Sequence, residues 1–182
     1  MKNIFSIPNI LSIIRIIIIP FFIVSYFLGK VHLTALLIVL SGLTDVVDGF
    51  IARRFNMITS LGKALDPIAD KLTIVSILFC VCIKRTMVLG LLATFVVKEI
   101  LMGIEGIVII KYVGEPYSAK WFGKLSTCLL YLSLLTIILW ESITFNVMLI
   151  LIAVCAISVV LSFVLYTKLN VKTIKGIKDE KS

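Results

Sequence analysis

The chain has 182 residues, of which 60% are hydrophobic, and it carries a formal net charge of +8. Soluble domains are only about half apolar, so this composition, with a mean hydropathy of +1.17, excludes a water-soluble globular protein. The basic residues lie between and after apolar runs without aromatic side chains among them, which disfavours nucleic-acid binding and favours an anionic membrane surface.

Six apolar segments follow one another along the chain, and each approaches the ~20 residues that cross a bilayer as a helix. They lack the alternation of barrel strands, and backbone groups in hydrocarbon must be paired within the segment, so we predict helices. The length is that of one domain. The expected fold is an all-α integral membrane protein, a bundle of six transmembrane helices with the spans 10–28, 33–55, 61–83, 86–110, 120–139 and 143–167.

Two basic residues lie inside predicted spans, Arg15 in the first and Lys98 in the fourth. A charge within hydrocarbon is costly and is a candidate for function. The other basic residues divide unequally between the two sides of the bundle. Of the 18 Lys and Arg residues, 13 fall on the side of both termini and three on the opposite side, namely Lys30, Lys84 and Arg85.

This charge bias predicts the orientation, because cytoplasmic loops collect Lys and Arg. Both termini should face the cytoplasm, in the cell membrane. A transmembrane domain of residues 1–167 is followed by a basic cytoplasmic tail of residues 168–182. We expect that tail to be disordered or to lie on the membrane surface.

Four of the five aspartates lie in one stretch, DVVDGFIARRFNMITSLGKALDPIAD, which joins the second and third spans. Asp45 and Asp48 are three residues apart, and Asp66 and Asp70 are four apart, so each pair shares a helix face. The short polar turn between the spans makes the two helices antiparallel neighbours, and both pairs can then meet around one polar cavity open to the cytoplasm. Four carboxylates repel one another unless a cation lies among them, and hard divalent ions take oxygen ligands.

The stretch is typical of a site for phosphoryl-type transfer. Two divalent ions about 3.5–4 Å apart suit four carboxylates and assist displacement at phosphorus. Arg53 can neutralise a diphosphate, and the small Gly49 and Ala52 leave room beside the helix. One alternative is an ion pathway, although the carboxylates do not string across the bilayer. The other is a purely structural network in which the aspartates pair with Arg53, Arg54, Lys63 and Lys71.

The stretch also resembles the signature of the CDP-alcohol phosphatidyltransferase family. All eight fixed positions are present at the family spacing, as Asp45-x2-Asp48-Gly49-x2-Ala52-Arg53-x8-Gly62-x3-Asp66-x3-Asp70. The opening IPNILSIIRIIIIPFF is similar to that of the family's phosphatidylglycerophosphate synthases and CMP-forming cardiolipin synthases. The resemblance covers most of residues 5–167.

The resemblance implies an enzyme of phospholipid biosynthesis that transfers the phosphatidyl group of CDP-diacylglycerol to an alcohol and releases CMP. It implies two Mg²⁺ or Mn²⁺ ions and a homodimer. Carried over by position, the metal ligands would be Asp45, Asp48, Asp66 and Asp70. Asp70 would also be the general base for the acceptor hydroxyl. The site for the CDP-lipid would comprise Gly49, Ala52, Arg53 and Gly62.

The acceptor is the less determined substrate. Glycerol 3-phosphate, which yields phosphatidylglycerophosphate, is our first expectation, and the candidate cations for its phosphate are Arg15, Lys98, Lys111, Lys120 and Lys124. Lys98 stands where that branch commonly has Arg, and Ser126 stands where it commonly has Lys. Both differences leave room for phosphatidylglycerol as the acceptor, which yields cardiolipin. Outside the enzymes, the alternatives are a transporter or a non-catalytic lipid-binding membrane protein, and the complete set of aspartates disfavours a vestigial site.

Overall fold

The computed structural model describes the backbone of residues 7–54, 60–113 and 121–180. Within these ranges it describes all side chains except those of residues 7, 52–53, 60–61, 63–64, 112–113 and 175–180. All regular secondary structure among the described residues is helical, which confirms the all-α prediction. In chain order the helices are α1 Ile7–Phe27, α2 Val31–Arg54, α3 Ser60–Lys84, α4 Leu89–Val113 with a short 3-10 turn at Thr86–Val88 before it, α5 Trp121–Leu139 and α6 Phe145–Glu180.

Five of the helices in the described part of the chain are long and apolar enough to cross a membrane, and they make this a multi-pass membrane protein. Their apolar stretches are Pro8–Phe27, Val31–Ile51, Thr86–Lys111, Trp121–Leu139 and Phe145–Ile174. Large apolar side chains such as Phe21 and Ile107 are exposed on them, as expected of surfaces that face lipid. The remaining helix, α3, carries Asp66, Asp70 and Lys71 in its first half.

The basic tail is helical over most of its length. α6 continues without interruption from Phe145 to Glu180, whereas the predicted sixth span ends at residue 167. A disordered tail, which was one of the two expectations, is therefore wrong for residues 168–180, whereas a tail on the membrane surface stays a prediction. Charged side chains lower hydropathy and so end an apolar span, but Lys is a good helix former and does not end a helix.

The helices divide into two compact units, each with its own packing. In the first unit, which contains α1, α2 and α3 together with the end of α5, α1 packs against both α2 and α3. The direct contact between α2 and α3, which are predicted to be neighbours, is small by comparison. The buried side of α1 repeats every three to four residues and includes Asn9, Ser12, Arg15, Phe22 and Tyr26.

The turn from α1 to α2 is a Schellman cap, and it depends on a glycine. Gly29 has a φ of 72°, a conformation that a Cβ atom disfavours. The Gly29 N–H donates to the carbonyl of Tyr26 at 3.2 Å, and the Lys30 N–H donates to that of Ser25 at 2.9 Å. These bonds satisfy the last carbonyls of α1 and reverse the chain into α2.

In the second unit, a carboxylate of α4 joins α4 to α6. Glu105 accepts hydrogen bonds from Thr167 Oγ1 and from Asn170 Nδ2, each at 2.6 Å. A carboxylate in an apolar segment is costly unless such donors compensate for its desolvation. Glu105 therefore contributes to the packing of α4 against α6.

Close packing at the start of α5 allows the stability of the second unit to be tested by mutation. A Cβ atom added at Gly123 would lie 2.7 Å from the hydroxyl oxygen of Tyr166. Tyr166 is buried, and its ring meets that of Phe122 edge-on at 4.6 Å between centroids. We expect Gly123→Ala to lower the free energy of unfolding by about 1 kcal/mol, because overpacking outweighs the gain in helix propensity. Thermal unfolding in detergent measures the change.

The matched control is Gly103→Ala on α4, where an added Cβ atom meets nothing within 4 Å. Only helix propensity acts there, so we expect stabilisation of about 0.5–1 kcal/mol. Equal stabilisation by both substitutions would show that Tyr166 yields freely to a methyl group at Gly123.

Candidate active site

The four aspartates of the stretch converge on one side chain, Arg15 of α1. Its Nη2 atom lies 3.0 Å from Asp45 Oδ1 and 2.7 Å from Asp48 Oδ2. Its Nη1 atom contacts Asp70 Oδ1 and lies 3.6 Å from Asp66 Oδ1. The cation that four neighbouring carboxylates require is therefore supplied, at least in part, by the protein itself.

Each of the five residues lies at a similar distance, along its helix, from the helix end on the same side of the bundle. This explains why their side chains meet. Arg15 lies within about three turns of the start of α1, and Asp66 and Asp70 lie within about three turns of the start of α3. Asp45 and Asp48 lie equally near the end of α2. Because α1 packs against both other helices, its guanidinium lies between the two aspartate pairs.

The cluster is closed on one side and open on the other. The Arg15 side chain is 0% exposed and that of Asp48 only 2%, whereas Asp45, Asp66 and Asp70 are each about 40% exposed. A ligand from solution can therefore reach three of the four carboxylates. The Asp48 Oδ1 atom is buried and has no hydrogen-bond partner among the described residues.

These residues fit a divalent metal ion. One carboxylate oxygen from each of Asp45, Asp48 and Asp66 lies within 4.8 Å of the others, which is a spacing that could place three ligands on one ion. Oxygen donors with full negative charge suit Mg²⁺ and Mn²⁺. A buried carboxylate oxygen without a partner, as at Asp48 Oδ1, costs free energy that a cation would recover.

The residues predicted to bind the CDP-lipid lie between the two aspartate pairs along the chain. Gly49 follows Asp48 on α2, and Gly62 lies in the first turn of α3. The side chains of Ala52 and Arg53 lie outside the described part of the structure, although their backbone belongs to α2. The predictions for these two side chains therefore stay predictions.

One alternative paired the aspartates with Arg53, Arg54, Lys63 and Lys71, of which the structure describes the side chains of Arg54 and Lys71. The guanidinium of Arg54 lies 5.7 Å over the ring of Phe50, and the ion pairs that the structure shows for the aspartates go to Arg15. Arg15 was expected to bind the acceptor, and its pairing with the aspartates was not predicted. The available signal was its charge inside an apolar span, since such a charge needs a nearby partner.

One further residue of α1 was not predicted. Ser12 lies one helical turn before Arg15, is buried, and donates a hydrogen bond to the carbonyl of Pro8 at 3.1 Å. Its Oγ atom also lies 3.4 Å from Asp66 Oδ1. A serine in an apolar helix gives no sequence signal, because such residues commonly bond their own backbone.

The candidate acceptor lysines that the structure describes belong to the second unit. Lys98 is paired with the neighbouring Glu99, with 2.6 Å between Nζ and Oε1. Lys111 and Lys124 are exposed, and Lys120 lies outside the described residues. Ser126, which stands where a lysine was expected, is buried with its Oγ atom 3.4 Å from that of Ser158.

A cavity of about 490 Å³ lies elsewhere in the first unit, at the turn between α1 and α2. Exposed Lys30 and His32 line it together with Glu141, and no aspartate of the cluster does. His32 has no metal-ligating neighbours in sequence. This cavity is therefore separate from the candidate active site.

Comparison with known proteins identifies the family. The CDP-alcohol phosphatidyltransferase model matches residues 5–167. The CDP-diacylglycerol--glycerol-3-phosphate 3-phosphatidyltransferase of Rickettsia felis is 49% identical over 72 residues, which are 38% of this chain and 40% of the relative. The protein of the same name from Haemophilus influenzae is 40% identical over 77 residues, 41% of this chain and 42% of the relative.

A third relative carries a different name. The cardiolipin synthase (CMP-forming) / mitochondrial hydrolase fusion protein of Schizosaccharomyces pombe is 30% identical over 115 residues, 63% of this chain and 19% of the relative. The matched region spans about two fifths of the length of the two bacterial relatives. The family model, in contrast, covers most of the chain and includes all eight signature positions. The chain belongs to the CDP-alcohol phosphatidyltransferase family.

Proposed function

We propose that this protein transfers the phosphatidyl group of CDP-diacylglycerol to glycerol 3-phosphate, with release of CMP and formation of phosphatidylglycerophosphate. The observation that supports this most is the convergence of Asp45, Asp48, Asp66 and Asp70 on one partly open cluster. These are the aspartates of the family signature. The bacterial relatives named above carry the name of this activity.

The proposed roles follow from the exposure of each carboxylate. All four aspartates would hold two Mg²⁺ or Mn²⁺ ions, which when bound would neutralise charge on the diphosphate and make CMP a better leaving group. Asp70 is partly exposed, so it can also accept the proton of the acceptor hydroxyl. Gly49, Ala52, Arg53 and Gly62 would bind the CDP moiety, with Arg53 toward the diphosphate.

We further propose that α3 also crosses the membrane, which makes six transmembrane helices in total. The aspartates would line a cavity that is open to the cytoplasm. α3 has 25 residues, or about 37 Å of helical rise, which exceeds the ~30 Å of the hydrocarbon core. The excess of Lys and Arg on the side of the termini supports cytoplasmic ends in the cell membrane. Family resemblance supports a homodimer.

A second acceptor, phosphatidylglycerol, is favoured by two observations in the second unit. Lys98 is neutralised by Glu99, and Ser126 offers a buried hydroxyl where a cation was expected. Both leave fewer free positive charges for a small anionic acceptor. The relative from Schizosaccharomyces pombe is named a CMP-forming cardiolipin synthase in part. Lys111, Lys120 and Lys124 are the remaining candidates for the acceptor phosphate.

CMP release from CDP-diacylglycerol by the purified protein tests the proposal, with Mg²⁺ present and one acceptor added at a time. We expect release that depends on glycerol 3-phosphate. Release with phosphatidylglycerol alone would assign the protein to cardiolipin synthesis. Absence of release with every acceptor would favour a transporter or a non-catalytic lipid-binding protein.

A further inference from the structure

Arg15 has an environment that an acceptor-binding residue would not need. Its side chain is fully buried, and each of its terminal nitrogens faces two aspartates. Its Nε atom is also buried and has no partner among the described side chains and backbone groups. An anionic acceptor would have to displace carboxylates in order to reach this guanidinium.

The oxygens that Arg15 contacts belong to the same side chains that suit a metal ion. Asp45 Oδ1, Asp48 Oδ2 and Asp66 Oδ1 face its terminal nitrogens, and one oxygen from each of these aspartates lies within 4.8 Å of the others. A guanidinium in the middle of this group lies only a few ångströms from any ion that the group binds. Like charges at that separation repel each other strongly where water is excluded.

The total charge of the cluster explains why the protein nevertheless keeps an arginine there. Four ionised carboxylates in partly buried positions repel one another, and one guanidinium among them compensates for part of that repulsion. The arginine in turn is buried in an apolar helix and needs anionic partners. Each group therefore stabilises the other whenever divalent ions are not bound.

We propose that Arg15 is an internal counter-ion that competes with divalent ions for the aspartate cluster. This inference rests on the proposed function, since it concerns the metal site of that activity. Arg15 holds the two aspartate pairs together without ions and loses part of its contacts when ions bind. The protein thereby binds its ions more weakly than four aspartates alone would bind them, and it exchanges them more readily.

The competition has a signature that other roles of Arg15 lack. If Arg15 oriented the carboxylates for the ions, its removal would weaken ion binding. If it bound only the acceptor, its removal would leave ion affinity unchanged. Competition alone predicts that removal of the guanidinium tightens ion binding and, at the same time, destabilises the ion-free protein.

The experiment measures Mn²⁺ binding to the purified protein in detergent, by the electron paramagnetic resonance signal of free Mn²⁺. It also records thermal unfolding with and without Mn²⁺. We expect Arg15→Gln to bind Mn²⁺ about tenfold more tightly than the wild-type protein. We expect it to unfold at a lower temperature without Mn²⁺ and to gain more stability from Mn²⁺. Arg15→Lys keeps the positive charge but loses the planar guanidinium that contacts two aspartate pairs at once. We therefore expect a smaller increase in Mn²⁺ affinity for this variant.

Arg85→Gln is the matched control. Arg85 follows the last residue of α3, about 22 Å of helical rise from Asp70, and its guanidinium donates to the carbonyl of Glu141 at 2.8 Å. This variant loses the same charge, and we expect its Mn²⁺ affinity to equal that of the wild-type protein.

Two outcomes would overturn the inference, and they differ from each other. If the wild-type protein binds Mn²⁺ and both Arg15 variants bind it equally or less tightly, the competition is absent although the metal site exists. If the wild-type protein binds no Mn²⁺, the proposed metal-dependent function fails and the inference fails with it. Should Arg15→Gln not fold, Arg15→Lys alone decides the question.

Discussion

Replacing Asp70 with asparagine is expected to lower the rate of CMP release by about 10³-fold, within the range usual for loss of a general base. The amide cannot accept the proton of the acceptor hydroxyl, and it is a weaker ligand for a divalent ion. Asp70 Oδ1 contacts Arg15, and an asparagine oxygen can keep a hydrogen bond to that guanidinium. The protein should therefore fold, and its unfolding temperature should stay close to that of the wild-type protein.

Glu141→Gln provides the matched control for this substitution. It makes the same change of carboxylate to amide at an exposed residue after α5, outside the aspartate cluster. We expect its rate to equal that of the wild-type protein. If Asp70→Asn kept the wild-type rate, Asp70 would be neither the base nor a required metal ligand.

Chelation of divalent ions is expected to stop CMP release completely and reversibly. The reason is electrostatic, because the single positive charge of Arg15 is already shared by four carboxylates and only Arg53 would remain for the diphosphate of the substrate. The measurement is CMP release before and after an excess of EDTA, and again after Mg²⁺ or Mn²⁺ is added beyond the chelator.

EDTA saturated with Mg²⁺ before addition controls for effects of the chelator on the detergent or the lipid. We expect it to leave the rate unchanged. Undiminished CMP release in excess free chelator would contradict the metal-dependent reaction. Loss of activity that added ions do not restore would indicate that chelation unfolds the protein.

The helices were largely predictable from the sequence because hydrophobic length and helix formation coincide in a membrane. The predicted spans 33–55 and 61–83 agree closely with α2 at Val31–Arg54 and α3 at Ser60–Lys84. The end of α6 was not predictable in this way. Hydropathy reports where an apolar segment ends, whereas the helix continues through the basic residues as far as Glu180.

The four aspartates that meet in the candidate site could be predicted from the sequence, whereas the helix that lies between them could not. The spacing of the aspartates was enough to infer that Asp45 and Asp48 face Asp66 and Asp70. The position of α1 between α2 and α3 was not inferred. Which helices pack against one another depends on tertiary packing, and the spacing of residues within one helix does not report it. Arg15 was therefore proposed only for the acceptor phosphate and was not connected with the aspartates, although its charge showed that it needed partners.

The position of α1 also has a consequence for biosynthesis. α1 leaves the ribosome before α2 and α3, yet the carboxylates that neutralise Arg15 belong to those two later helices. Until they arrive, the nascent helix carries an unpaired charge that is costly in hydrocarbon. α2 and α3 in turn bring four carboxylates that repel one another until Arg15 of α1 or divalent ions compensate for part of their charge. The three helices therefore depend on one another, and the ion pairs of Arg15 are complete only after α3 has been made.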